Sequence, residues 1–187
     1  MRVIAGEFRG RKLLPPEGDV TRPITDRVKQ SLFDILTPDL PDARVYDCFA
    51  GTGSMGLECL SRGAAGATFF EADRSALERL KKNIGALGVP DRATIVAGDL
   101  FRWFDKGVPR EKADIVFLDP PYRFLRERPE DVRRLAASIA SKHLAPGGTV
   151  VFRHDGRDSL SLPDLTETDR REYGGMVLRF LTAGSMG

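Results

Sequence analysis

From Arg44 onward short apolar runs alternate with amphipathic stretches, and that alternation leaves few folds open to the chain. Strands are expected at Val45–Phe49, Thr68–Glu71, Thr94–Ala97, Ile115–Leu118 and Thr149–Arg153. Between them fall helical patterns at Ser54–Ser61, Ser75–Leu87, Leu100–Phe104 and Pro129–His143. Strands separated by helices at this spacing form βαβ units, hence a parallel sheet covered on both faces. The end of the pattern differs. Thr166–Tyr173 and Met176–Leu181 are separated only by Gly174-Gly175, the signature of an antiparallel hairpin.

Ahead of the alternating region, two β-prone runs (Arg2-Val3-Ile4 and Lys12-Leu13-Leu14) flank Gly6 and Gly10, which reads as a small hairpin. A Pro- and Gly-containing connector, Pro15 to Gly18, leads into a helical pattern over Thr21 to Leu36, with Pro38 as a stop. The expected division is an extension over 1–38 and a main domain over 39–183, with Gly184 to Gly187 as a loose tail.

Composition excludes several classes. No apolar run has the length of a membrane span, and the N-terminal MRVIAGEFRGRK lacks the apolar region of a secretion signal. Cys48 and Cys59 stand in no metal-ligand spacing, so they read as reduced core residues of a cytoplasmic protein without a metal site. The net charge of +2 does not by itself indicate a nucleic-acid partner; that argument rests on where the charges sit.

Val45-Tyr46-Asp47-Cys48-Phe49-Ala50-Gly51-Thr52-Gly53-Ser54-Met55-Gly56 is a strand, a glycine-rich turn and a helix start. Gly51, Gly53 and Gly56 satisfy the dinucleotide pattern, with Glu71 following at the end of the next strand. Asp47 argues against a dinucleotide, because a carboxylate beside the loop would repel a pyrophosphate. S-adenosylmethionine carries no phosphate. Its sulfonium and ammonium are positive, and its ribose hydroxyls suit the Glu71 carboxylate. Asp73 reads first as the cap of the helix that follows, and Asp99 reads equally as a helix cap or as an acceptor for the adenine amine.

Asp119-Pro120-Pro121-Tyr122 follows the apolar run Ile115-Val116-Phe117-Leu118. Adjacent prolines fix the backbone and remove two amide donors, leaving carbonyls as acceptors. An exocyclic amine on a base is a poor nucleophile because its lone pair is delocalised into the ring. The Asp119 carboxylate and the Pro120 carbonyl would hold its hydrogens and free the lone pair, while Tyr122 stacks on the unpaired or flipped base. Asp119 is also the candidate to relay the proton lost after transfer. Basic residues gather at Arg2, Arg9, Arg11 and Lys12, continue through Arg22, Arg27 and Lys29, and recur at Arg123, Arg126, Arg128, Arg133 and Arg134, a pattern suited to phosphate contact. Arg153 and His154 have no role legible in the sequence.

The strings RVIAGEFRGRKL, TRPITDRVKQSLFDIL, DCFAGTGSMGLE, FFEADRSA, DIVFLDPPY and REYGGMVLRFL, running in order from Met1 to Leu181, resemble the RsmD-type methyltransferases of bacteria. The resemblance implies an α/β, Rossmann-like class I S-adenosylmethionine-dependent fold. Its seven-stranded sheet would be mostly parallel with an antiparallel last strand, and a small N-terminal hairpin and helix would extend it. It implies methylation of a guanine N2 in small-subunit (16S) ribosomal RNA, with S-adenosyl-L-homocysteine as product. The partner would be RNA within an assembled or assembling small subunit, with contact to ribosomal protein at the N-terminal hairpin, and the enzyme would be a monomer. The expected cofactor set is Asp47, Phe49, Gly51, Gly53, Glu71, Asp73, Asp99, Leu100 and Asp119, with Thr21, Arg22, Pro23 and Thr25 shaping or closing the pocket. The expected RNA set is Arg9, Arg11, Lys12, Arg22, Tyr122, Arg123 and Arg126. The competing readings are a DNA adenine-N6 or cytosine-N4 methyltransferase, a non-catalytic RNA-binding assembly factor, and a dinucleotide oxidoreductase.

Overall fold

The computed structural model describes residues 1–17, 24–106, 109 and 111–184. Seven strands are ordered β3-β2-β1-β4-β5-β7-β6, and the chain divides into two compact units, Met1–Gly98 and Asp99–Gly187. Among the described residues no helix is long and apolar enough to cross a membrane.

In the first unit β1 (Arg44–Cys48), β2 (Gly66–Glu71) and β3 (Ala93–Ala97) pair in parallel, Asp47 lying opposite Phe69 and Phe70 opposite Val96. β1 is buried along all but its first residue, as a strand packed on both faces must be. The helices are α1 (Asp26–Leu36), α2 (Ser54–Ser61) and α3 (Arg74–Leu87). α1 buries Val28, Lys29, Leu32, Phe33 and Leu36, the i, i+4 spacing of a single face. α3 starts on Asp73, whose side chain accepts the Ala76 amide, and ends on Gly88 in the left-handed region.

The N-terminal segment forms a narrower loop than the expected hairpin: one antiparallel bridge joins Arg2 to Lys12, and the chain between them is turns. Its backbone is instead held by α2. Ile4 and Ala5 donate to the Glu58 carboxylate (2.8 and 3.0 Å), Glu7 donates to the Ser61 carbonyl and Phe8 to the Ser61 hydroxyl. The following residues run as a strap along one face of α3. Arg11 donates to the Ala86 carbonyl, Leu14 exchanges hydrogen bonds with the Asn83 amide, the Pro15 carbonyl accepts from Arg79, and Glu17 meets Arg79 and Ser75.

In the second unit β4 (Ala113–Leu118) pairs in parallel with β5 (Leu144–Asp155). β6 (Leu165–Tyr173) and β7 (Met176–Ala183) form the expected hairpin, and β7 lies antiparallel between β5 and β6. Its turn holds Gly174 and Gly175 at φ of 52° and 87°, a conformation that L side chains enter only with strain. The helices are α4 (Leu100–Asp105), α5 (Tyr122–Glu127) and α6 (Pro129–Ser138). The helix expected over 129–143 is shorter: α6 begins on Pro129 as read, then widens into a π turn over Ile139–His143. The sequence pattern did not indicate α5.

Candidate active site

In the first unit the chain leaves β1 through the glycine loop and enters α2. Phe49, Gly51 and Gly53 take φ values of 64°, 56° and 83°. Phe49 carries a Cβ, so its left-handed backbone is strained, and such strain persists only where neighbours enforce it. The enforcing contacts are Ala50 N to Phe70 O (2.9 Å) and Gly53 N to Ala50 O (2.8 Å). A Cβ on Gly53 would stand 2.4 Å from the Leu80 side chain, whereas one on Gly51 would meet nothing within 4 Å. The loop is therefore packed from beneath at Gly53 and open at Gly51.

Two carboxylates border this loop. Asp47 is 2% exposed, and its Oδ2 accepts the Gly56 amide at 2.9 Å, inside the first turn of α2. Glu71, half-buried at the tip of β2, accepts the Gly51 amide at 2.7 Å through one oxygen and the Ala72 and Asp73 amides at 2.8 Å through the other. Such a set of acceptors suits S-adenosylmethionine: carboxylates beside an open backbone favour a cation with ribose hydroxyls and disfavour a pyrophosphate. Asp73 is engaged as a helix cap, the role that read best in the sequence. Thr25 caps α1 by accepting the Val28 amide at 3.3 Å. Thr21, Arg22, Pro23, Gly18 and the last three residues of the tail lie outside the described residues.

A buried ionic cluster ties the extension to α2, and sequence reading did not anticipate it. Lys29 (2% exposed) and Arg62 each approach the Glu58 carboxylate (0% exposed) at 2.9 Å, and the Lys29 ammonium also reaches the Ser54 hydroxyl at 3.1 Å. Burial pushes the Glu58 carboxyl up, but Lys29, the Ile4 amide and Arg62 outweigh it and hold the group below the ordinary carboxylate range. Asn83, also buried, donates to the Thr52 carbonyl in the glycine loop at 2.9 Å while bonding Leu14. A signal existed: Lys29 lies on the apolar face of α1, and Glu58 interrupts the apolar run Leu57–Leu60.

In the second unit Asp119 follows β4 directly. Arg153, in the adjacent strand β5, grips it with two hydrogen bonds, Nε to Oδ1 at 2.8 Å and Nη2 to Oδ2 at 2.7 Å. Pro120 is buried, and its carbonyl accepts no hydrogen bond among the described residues. The Pro121 carbonyl is occupied by the Phe124 amide at 2.8 Å, and half-buried Tyr122 opens α5. The tetrapeptide thus presents a clamped carboxylate and an unpartnered carbonyl. Asp99 accepts the Phe101 amide at 2.9 Å, so of its two expected roles the cap is the one formed here, and Leu100 is buried behind it.

The Arg-rich segment is largely neutralised within itself. Arg126 pairs with Asp158 (2.7 Å), Arg128 and Arg134 share Asp131, and Arg133 meets Glu130. Arg123 is exposed and makes no ion pair among the described residues. At the N-terminus Arg9 and Lys12 are likewise exposed and unpaired among the described residues, whereas Arg11 is committed to α3. Of the expected RNA contacts, these three cations keep their charge available. No group of His, Cys, Asp and Glu that could hold a metal is found among the described residues.

A parallel sheet with β7 inserted antiparallel, and a glycine loop after the first strand, define a class I S-adenosylmethionine-dependent methyltransferase fold. Within that class the chain belongs to the RsmD family, whose model, described as "Conserved hypothetical protein 95", matches residues 1–182. It is 45% identical over 123 residues to ribosomal RNA small subunit methyltransferase D of Escherichia coli K12, a match spanning 66% of this chain and 61% of that protein. The solved structure of the Escherichia coli protein yhhF superimposes with a TM-score of 0.84 at 35% identity, covering 100% of this chain and 99% of the other. An RNA methyltransferase from Salinibacter ruber, solved with S-adenosyl-L-homocysteine, shares the fold with a TM-score of 0.66 at 18% identity, covering 89% and 96%.

Proposed function

We propose that this protein transfers the methyl group of S-adenosylmethionine to the N2 amine of a guanine in small-subunit ribosomal RNA, within an assembled or assembling particle. The observation that carries the reading is the pair of acceptors in the reacting tetrapeptide: an Asp119 carboxylate fixed by Arg153 and a Pro120 carbonyl with no donor among the described residues. The name of the Escherichia coli relative, ribosomal RNA small subunit methyltransferase D, supports it.

In this reading Asp47, Phe49, Gly51, Gly53 and Glu71 hold the cofactor, while Asp73 and Thr25 fix the starts of α3 and α1. The cofactor supplies a methyl group on a sulfonium, already a strong leaving group. Asp119 and Pro120 accept hydrogen bonds from the two amine hydrogens and turn the nitrogen lone pair towards the methyl carbon, Pro121 stiffens the backbone, and Tyr122 stacks on the flipped base. Positioning is the main contribution of these residues. After transfer the nitrogen gives up one proton to water and returns to a neutral secondary amine. Arg9, Lys12 and Arg123 meet phosphates, with Arg11 and Arg126 supporting the surfaces that carry them, and the 1–38 extension faces RNA or ribosomal protein.

The test is a methyl-transfer assay with labelled S-adenosylmethionine, offering unmodified small-subunit particles, naked small-subunit RNA and duplex DNA in parallel. Label on guanine N2 in particles or RNA is the expected result. Label on DNA alone would move the protein to the amine-modifying DNA methyltransferases, and no transfer to any substrate would overturn the reading.

A further inference from the structure

The second unit contains an arginine that the sequence left without a role. Arg153 lies on β5 one residue beyond Phe152, which pairs with Leu118 at the end of β4, so its backbone stands beside Asp119. Both guanidinium contacts are short, 2.8 and 2.7 Å, and go to different carboxylate oxygens, the parallel fork that best fixes a carboxylate plane. The pair is mostly shielded, with side-chain exposures of 11% for Arg153 and 24% for Asp119. A partly shielded fork of this kind is less screened than a surface ion pair and restricts side-chain torsions on both partners.

We propose that Arg153 is a positioning residue for methyl transfer, acting through Asp119. This rests on the reading of Asp119 as the acceptor for the base amine. A free aspartate has two torsions and sweeps its oxygens through several rotamers. With the guanidinium across its outer edge, the carboxylate has one orientation, and the lone pairs not used by Arg153 are the ones left for the amine. Each oxygen accepts one guanidinium hydrogen and retains capacity for a second donor. The arginine need not touch the base. Its effect is to make the position of the amine acceptor a property of the folded sheet, so that no ordering is required when the base arrives.

The prediction concerns turnover and leaves cofactor affinity aside. A displacement of the acceptor of the order of an ångström is expected to lower kcat about a hundredfold in Arg153→Met, with the KM for RNA and the Kd for S-adenosylmethionine little changed. Arg153→Lys keeps the charge and loses the fork, and should recover only part of that loss. The decisive measurement is a double-mutant cycle with Asp119→Asn, read as kcat, with melting temperatures recorded for every variant. If Arg153 acts through Asp119, adding Arg153→Met to Asp119→Asn changes kcat by less than about threefold, a strongly non-additive outcome. Additive losses, or a kcat for Arg153→Met within twofold of wild type in a folded protein, would overturn the proposal. Failure of the wild-type protein to methylate any substrate would instead overturn the proposed function, so the two failures are distinct.

Discussion

Replacing Lys29 by Met should unfold the protein more readily than any surface change, and the structure sets the scale. Glu58 is fully buried and accepts four donors: the Lys29 ammonium, the Arg62 guanidinium, and the Ile4 and Ala5 amides. Removing one partner of a buried pair costs about 3–5 kcal/mol, because a charge is left without compensation. Arg62 still faces Glu58 in Lys29→Met, which places that variant at the lower end. Glu58→Gln leaves the Lys29 ammonium facing neutral acceptors alone, an amide oxygen, the Ser54 hydroxyl and the Arg2 carbonyl, and belongs at the upper end. For a chain of this size each kcal/mol moves the melting temperature by roughly 2–4 °C, so losses of about 6–20 °C are expected. The assay is urea unfolding followed by far-ultraviolet circular dichroism, with thermal melts alongside. Combining Lys29→Met with Glu58→Gln removes both charges of the pair and should cost less than the two single losses added together. A loss below about 1 kcal/mol in both single variants would show that water reaches the cluster, and would refute the argument from burial.

Three further outcomes are expected. Asp119→Ala should abolish nearly all turnover while S-adenosylmethionine still binds, as read by calorimetry; normal methylation by this variant would contradict the amine-acceptor role. Arg9→Ala with Lys12→Ala should weaken RNA binding and reduce the slope of log K against log salt by about 0.7–0.9 per lost phosphate contact, and an unchanged slope would assign that surface to protein contact. His143 and His154 are both pushed down chiefly by burial, opposed by the hydrogen bonds their rings donate to the Phe104 and Asp155 carbonyls, and each has one buried ring nitrogen without a partner among the described residues. A histidine whose folded pKa is depressed contributes stability that is present above its unfolded pKa and lost as pH falls towards the folded value. Melting temperature should therefore fall between pH 7.5 and 5.5, and replacing both histidines by Gln should flatten that slope.

What the sequence made legible was local. The glycine loop and the Asp119–Tyr122 motif each occupy a few consecutive residues, so spacing alone exposed them, and the Gly174-Gly175 turn announced its hairpin in the same way. Asp73 showed its cap because cap and amide lie three residues apart. Arg153 could not be read, because its partner is 34 residues away and only strand pairing brings the two together. Asn83 is harder still, with hydrogen-bond partners 31 and 69 residues distant. α5 left no periodic signal because it is six residues long and buries Leu125 alone, although Pro121 with ψ near 131° is well placed to precede a helix. β5 proved longer than its apolar core because Ala145–Gly148, a turn by composition, is absorbed as an irregularity in its register with β4.

The strap along α3 and the loop on α2 also constrain how the molecule is made. Phe8 and Leu14 find their partners in Ser61 and Asn83, separations of 53 and 69 residues. At about 5–20 residues per second, those partners are synthesised roughly 3–14 s later. Val3, Phe8 and Leu13, in the same segment, are all buried in the folded protein. The N-terminal segment therefore completes these hydrogen bonds only after α2 and α3 have been synthesised.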